Sequence, residues 1–218
     1  MDRVLDLERT ARVIQATDPD IVVLNEVDSG TARSFGVLQA DSLGALLNLH
    51  ATFGRSIDYD GGQYGNALLS RYPIVNFRIV DLSTDSLREG RSIFISQIDM
   101  EGDTLTIMGT HIGLSPQERN EQINQIIEVL ADEHNYILAG DFNFEPTSEN
   151  YQIITRYVRD GLKELSPSPA TTFPADNPDR RIDYIFVSEA IEVVQSDDFQ
   201  WPEKTSASDH QPQILHFK

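Results

Sequence analysis

Acidic and imidazole side chains follow directly after apolar runs at several places in this chain. Glu26 follows the apolar run at 21–24, Asp141 follows the run at 136–139, and His111 ends a third apolar segment. A buried strand that surfaces at the rim of a core carries its next side chains there, so we expect these residues to meet. Carboxylates bind hard divalent cations, and imidazoles transfer protons or contact anions. This set predicts metal-assisted attack of water on a phosphate ester.

Each of these signals also has a plain structural explanation when it is taken alone. An acid after a strand, as at Glu26, can cap an element, and the segment 140–143 can be a turn because glycine, aspartate and asparagine favour turns. His111 can be a hydrogen-bonded core histidine, and Asp209 with His210 can cap a helix or strand. The joint occurrence of these segments therefore carries the prediction of a site. We expect the other histidines to be structural: His50, His134 and His216.

Composition limits the classes of protein and partner. The 218 residues fit a single domain over 1–218, and the absence of cysteine excludes thiolate metal sites and cysteine nucleophiles. A net charge of −18 disfavours long nucleic acid and anionic lipid as partners but is compatible with a small phosphate ester. No apolar run approaches the roughly 18 residues of a membrane span, and no signal peptide is evident, so we expect a cytoplasmic protein.

Periodicity and turn residues predict alternating groups of helices and strands. Apolar residues at one face predict a first helix through Leu7, Ala11 and Ile14, and Ser115 before Pro116 predicts the start of another. Further helices are predicted around 41–49 and after Ser148, and loops at 166–178 and up to Asp209. Strands are predicted at 21–24, 66–70, 75–82, 92–100, 104–112, 136–139, 182–187, 191–194 and 213–217. This order predicts a two-sheet α/β sandwich with helices outside.

Six segments together resemble the endonuclease/exonuclease/phosphatase superfamily, which has the deoxyribonuclease I-like fold. They extend over nearly the whole chain, at 19–26, 65–70, 110–112, 138–143, 181–185 and 208–210. The resemblance implies an α/β (α+β) fold of four layers, in which two mixed β-sheets pack face to face with helices outside. It also implies a Mg²⁺- or Mn²⁺-dependent phosphoric ester hydrolase.

The resemblance assigns the metal and the attacking water to acidic and amide residues. It implies that Glu26 is the main ligand of Mg²⁺ or Mn²⁺, and that Asp209 supports this ion or a second one. Asp141 is implied to orient or deprotonate the attacking water, and Asn143 to hold the scissile phosphate.

The histidines and the rim of the site follow from the same resemblance. His210 is implied to pair with Asp183, whose carboxylate would fix the tautomer of the ring and favour its charged form. His210 then acts as a base or as a donor to the developing negative charge; both roles stay open. His111 is implied to be a second donor to the phosphate, and Asn66 and Arg91 to support the site from its rim and contact the substrate.

One feature of the family pattern is missing. Family members begin with a buried strand that ends in an asparagine near the metal, and Met1 falls in the loop that follows it. We expect the chain to lack this strand, either because the start is assigned too late, because the protein is truncated, or because it works without the strand. The segment 21–24 should then have a free edge, which invites pairing with another chain and makes an oligomer possible.

These observations lead to two hypotheses about function. The first is a metal-dependent phosphodiester hydrolase, either nuclease-like or specific for a small substrate, with a phosphodiester or phosphomonoester as its partner. The second is a catalytically weak family member that acts as a binding or scaffold module, which the missing asparagine favours.

Overall fold

The computed structural model describes residues 4–85, 87–166, 169–197 and 207–218. Met1, and parts of the loops predicted at 166–178 and before Asp209, lie outside these residues. The helices of the described residues are α1 (Leu7–Thr17), α2 (Gln39–Leu47), α3 (Pro116–Leu130), α4 (Glu149–Ile154) and α5 (Gly161–Leu165). The strands are β1 (Ile21–Ser29), β2 (His50–Tyr59), β3 (Gly62–Ser70), β4 (Ile74–Asp81), β5 (Ser92–Met100), β6 (Asp103–His111), β7 (Tyr136–Asp141), β8 (Arg159–Asp160), β9 (Asp183–Val187), β10 (Val193–Asp197) and β11 (Ile214–Phe217).

Two main sheets contain most of the strands. The larger sheet has the order β4-β5-β6-β7-β9-β8 and is mixed, because β6 and β7 run parallel while its other pairs are antiparallel. The smaller sheet has the order β1-β3-β2 and differs from the expected mixed sheet, since both of its pairings are antiparallel. The reason is local: β2 and β3 form a hairpin, and β1 runs against β3. Strands β10 and β11 form a separate antiparallel pair.

Apolar side chains from both sheets form the core between them. Leu68 of β3 packs in one cluster with Phe94 of β5, Ile107 of β6 and Ile137 of β7. On the outer face of the larger sheet, α3 and α4 contribute further buried residues: Ile123, Ile126, Leu130, Tyr151 and Ile154. Helices α1 and α2 cover the smaller sheet through a third set: Ala11, Ile14, Leu43 and Leu47 against Leu69. The expected four-layered α/β sandwich is therefore confirmed.

The larger sheet brings the polar ends of three strands to one edge. His111 ends β6, Asp141 ends the parallel strand β7, and Asp183 begins β9, which runs antiparallel to β7. The register places His111 opposite Asp141, and Asp141 opposite Asp183. Sheet topology alone thus gathers side chains that are far apart in sequence.

Strand β1 forms one edge of the smaller sheet. It pairs with β3 along one side, from Ile21 opposite Ser70 onward, and within the described residues no strand pairs with its other side. This matches the free edge expected beside 21–24; the hypothesis of an absent family strand stays a prediction. Among the described helices, none has the length and apolar character needed to cross a membrane.

Candidate functional site

Asp141, Asp183 and His210 form the centre of the candidate site. The Nδ1 atom of His210 lies 2.8 Å from Oδ2 of Asp183, and its Nε2 atom lies 3.9 Å from Oδ2 of Asp141. One ligand atom from each residue lies within 4.8 Å of the others, a spacing at which the three could hold a metal ion. The contact between Asp183 and His210 is the one expected from the sequence, although the residues are 27 positions apart.

The two histidines of the site have opposite protonation states. Burial alone would lower the pKa of His210, but the hydrogen bond to Asp183 and the charges of nearby carboxylates outweigh it and raise the pKa to about 9. Burial, together with the positive charges of Arg91 and His210, lowers the pKa of His111 to about 3. At neutral pH, His210 is therefore charged and His111 is neutral.

Asn143 determines which nitrogen of His111 carries the proton. The side-chain amide of Asn143 donates to the backbone oxygen of Ile112 at 3.0 Å, and the same nitrogen lies 3.0 Å from Nε2 of His111. Since an amide nitrogen can only donate, Nε2 of the neutral ring accepts and Nδ1 carries the proton. That Nδ1 atom lies 3.8 Å from Oε1 of Glu26, so the neutral ring and the carboxylate do not form an ion pair.

Asp141 is a buried carboxylate in an acidic neighbourhood. Burial, followed by the charge of Asp183, raises the pKa of Asp141 to about 7, while a hydrogen bond from the backbone N–H of Asn143 opposes the shift. Its Oδ2 atom lies 3.4 Å from Nε2 of His111. A carboxyl group with a pKa near neutrality can exchange a proton with water at working pH.

Glu26 and Asn143 both have unusual backbone conformations. The φ angles are +59° at Glu26 and +50° at Asn143, in the left-handed region that residues other than glycine rarely adopt. The pairing of β1 with β3 shifts register between Leu24 and Val27, so Glu26 lies in a bulge. Its side chain is 63% exposed. Such strain persists where the surrounding structure imposes it, and it clusters at functional sites.

Asn25 connects the two sheets beneath the site. Its amide nitrogen donates to Oδ1 of Asn66 at 2.7 Å and to the backbone oxygen of Thr110 at 2.9 Å. Its Oδ1 atom accepts from the backbone N–H of Asp141 at 3.0 Å. No role is expected for Asn25 from the sequence, although it lies in the segment 19–26; its place directly before Glu26 is the available signal.

Asn66 and Arg91 are both buried, and their expected contact with the substrate stays a prediction. Asn66 is buried and uses its amide inside the protein, with Asn25 and with the backbone oxygen of Ser92, so it supports the site from beneath and does not line the rim. Arg91 is buried at the start of β5 and forms an ion pair with Glu89, with 2.8 Å between Nη1 and Oε1.

Glu26 and Asp209 are the two residues expected to bind the metal, and neither forms a cluster of three potential ligands among the described residues. Neither Glu26 nor Asp209 belongs to the cluster of Asp141, Asp183 and His210, which is the one such group within the described part of the chain. Asp209 is exposed, and its negative charge helps to raise the pKa of His210.

Comparison with curated proteins identifies one set of relatives. The chain is 35% identical over 147 residues to the uncharacterized protein YbhP of Escherichia coli, an alignment that covers 63% of this chain. The match spans 56% of YbhP, so the chain corresponds to only part of that protein.

Solved structures share the fold at low sequence identity. A functionally unknown conserved protein from Enterococcus faecalis superimposes with a TM-score of 0.81 at 20% identity, covering 97% of this chain and 90% of that one. A mannosyl-6-phosphatase from Bacteroides thetaiotaomicron gives a TM-score of 0.78 at 18% identity, covering 97% and 90%. A 3′ phosphatase from Neisseria, bound to a product DNA hairpin, gives 0.73 at 18% identity, covering 97% and 94%.

The sequence profile of the Endonuclease/Exonuclease/phosphatase family matches residues 1–210. That range contains every residue of the candidate site, from Glu26 to His210, and the structural neighbours include members of the same family. The chain belongs to the endonuclease/exonuclease/phosphatase family.

Proposed function

We propose that the chain is a divalent-metal-dependent phosphoesterase that hydrolyses a small phosphate ester, preferentially a phosphodiester, by direct attack of water. The observation that carries this proposal is the geometry around Asp141: His210, hydrogen-bonded to Asp183, lies on one side of the carboxylate and His111 lies on the other. A proton acceptor beside a fixed proton donor is the arrangement that general acid–base catalysis requires.

Each residue of the site then has a definite role. Asp141, which lies between His111 and His210, accepts a proton from the attacking water as the new bond to phosphorus forms and the bond to the leaving oxygen breaks. His210 is charged at neutral pH, so it donates to a phosphate oxygen and does not act as the base. Asp183 holds the ring of His210 in place. His111 is proposed to contact the phosphate from the opposite side, and Asn143 to hold the ring of His111 in position for this contact.

The donor groups of the site fit Mg²⁺ or Mn²⁺. Asp141 and Asp183 are adjacent across two strands, and their mutual repulsion raises the pKa of Asp141, which a nearby cation would relieve. Carboxylate oxygens are the ligands that these ions prefer, and we propose that Asp141 and Asp183 hold the ion with Glu26 and Asp209 as further ligands at the rim. When bound, the ion would neutralise charge on the phosphate.

The charge of the chain supports a small substrate. A net charge of −18 opposes the binding of long polyanions, because few basic side chains are available to neutralise successive phosphates. One of the neighbours is named as a sugar phosphatase and another as a 3′ phosphatase bound to DNA, so the shared fold accepts both kinds of phosphate ester.

Turnover of bis(p-nitrophenyl) phosphate in the presence of Mn²⁺ tests the proposal. His210→Ala should lower kcat by about 100-fold or more, in the range found for general acid–base residues. His134→Ala is the matched control, because His134 is exposed in the loop that follows α3, and it should leave turnover unchanged.

The same experiment separates the enzyme from a binding or scaffold module. If the wild-type protein and His210→Ala show equally low turnover, the catalytic proposal fails and the module is favoured. Turnover that depends on His210 and is lost on addition of EDTA supports the enzyme.

A further inference from the structure

Arg91 is a buried cation whose hydrogen-bonding capacity is only partly used. Its side chain is 8% exposed, and its Nη1 atom lies 2.8 Å from Oε1 of Glu89. Its Nε–H is buried and has no hydrogen-bond partner. Leaving a buried donor of a charged group unpaired is costly, and the planar guanidinium is suited to bidentate contact with a carboxylate or a phosphate. Arg91 thus offers a position for an anion.

This position lies beside the candidate catalytic site. Arg91 directly precedes β5, and two residues later Ile93 pairs with Thr110, the neighbour of His111. The positive charge of Arg91 contributes to the lowered pKa of His111. Burial raises the pKa of Tyr64 well above its usual range, and the charges of Glu26 and Glu89 raise it further. The charges of Glu89 and Arg91 therefore act on side chains of both sheets: Tyr64 of the smaller sheet and His111 of the larger one.

Glu89 is the partner of Arg91 in this structure, and its carboxylate is partly exposed to solvent. Its side chain is 47% exposed and belongs to the loop between β4 and β5. Because the carboxylate of Glu89 is already partly hydrated, an incoming phosphate can replace it on the guanidinium without leaving a buried carboxylate unpaired. While Glu89 stays in place, its negative charge opposes the anion that approaches Arg91.

We propose that Glu89 occupies the anion position of Arg91 in the free protein and makes the site prefer monoanionic phosphate diesters over dianionic monoesters. This inference rests on the proposed phosphoesterase function and deepens it. The physical reason is Coulomb's law: at equal distance a carboxylate repels a dianion twice as strongly as a monoanion. Removal of the charge of Glu89 should therefore favour both substrates, and monoesters more.

The test compares Glu89→Gln with the wild-type protein on two substrates, p-nitrophenyl phosphate and bis(p-nitrophenyl) phosphate, with Mg²⁺ present. The ratio of kcat/KM for the monoester to that for the diester should rise by about threefold or more, mainly through a lower KM for the monoester. Glu101→Gln is the control for net charge, because Glu101 is exposed in the turn after β5, roughly 30 Å along the strand from Arg91. It should leave the ratio unchanged.

Two outcomes would overturn the inference. An unchanged or lower ratio in Glu89→Gln would show that the carboxylate does not discriminate by charge. A higher KM for both substrates would show that Glu89 holds Arg91 in its working position and does not compete with substrate.

Calorimetric binding of inorganic phosphate keeps this inference separate from the proposed function, because it requires no turnover. Glu89→Gln should bind inorganic phosphate about threefold more tightly than the wild-type protein. If binding tightens in a protein that hydrolyses neither ester, the proposed function fails and the anion position stands. If both esters are hydrolysed but phosphate affinity does not change, the role of Glu89 is wrong.

Discussion

Removal of the Asn25 side chain should weaken the connection between the two sheets. Asn25→Ala deletes three hydrogen bonds of 2.7 to 3.0 Å, to Asn66, Thr110 and the backbone N–H of Asp141. Each such bond contributes about 0.5–1.5 kcal/mol net, and groups left unpaired in the interior add to the cost. We therefore expect the free energy of unfolding to fall by about 2–4 kcal/mol.

Urea unfolding followed by circular dichroism measures this change. Asn76→Ala is the matched control, because Asn76 is an exposed residue of the edge strand β4 whose side-chain contact to Gln97 is long, at 3.5 Å. The control should lose about 0.5 kcal/mol or less. If Asn25→Ala unfolds at the same urea concentration as Asn76→Ala, the hydrogen bonds of Asn25 do not hold the sheets together.

Three further predictions concern the buried ion pair, His210 and the metal. Asp160→Ala should lower the free energy of unfolding in urea by about 3–5 kcal/mol, because it leaves the buried guanidinium of Arg181 without its two 2.7 Å contacts. A loss below about 1 kcal/mol would contradict this prediction. In metal-free protein, NMR should show that His210 titrates near pH 9, and Asp183→Asn should lower this pKa. Titration of His210 at or below the ordinary value of 6.5 would refute the raised pKa. Because the folded-state pKa is raised, the charged ring stabilises the fold fully below pH 6.5, and this contribution is lost as the pH rises through about 9. Mg²⁺ should raise the melting temperature of the wild-type protein and raise it less in Glu26→Gln, and equal shifts would exclude Glu26 as a ligand.

Local patterns were sufficient to predict most of the layered fold. Helix α3 begins at Pro116 with Ser115 as its cap, as the sequence predicts, because the signal lies within a few adjacent residues. Strand β2 was not predicted. It contains Gly54 and several polar residues, and it is held mainly by its pairing with β3, so no apolar run marks it.

The candidate site was predictable in its members but not in its geometry. His210 and Asp183 meet as expected, since both lie in segments that resemble the family. The bulge at Glu26 depends on the register between β1 and β3, which the sequence of one strand does not contain. The contact of Glu89 with Arg91 depends in the same way on the path of the loop before β5.

The pH dependence of phosphodiester hydrolysis tests the proposed role of His210 most directly, because His210 can donate a proton only while its ring is charged. With saturating Mg²⁺, kcat for bis(p-nitrophenyl) phosphate should fall at high pH, where His210 loses its proton. The residual activity of His210→Ala should lack this fall. A wild-type rate that continues to rise beyond pH 9, or a His210→Ala protein with the wild-type profile, would contradict the account.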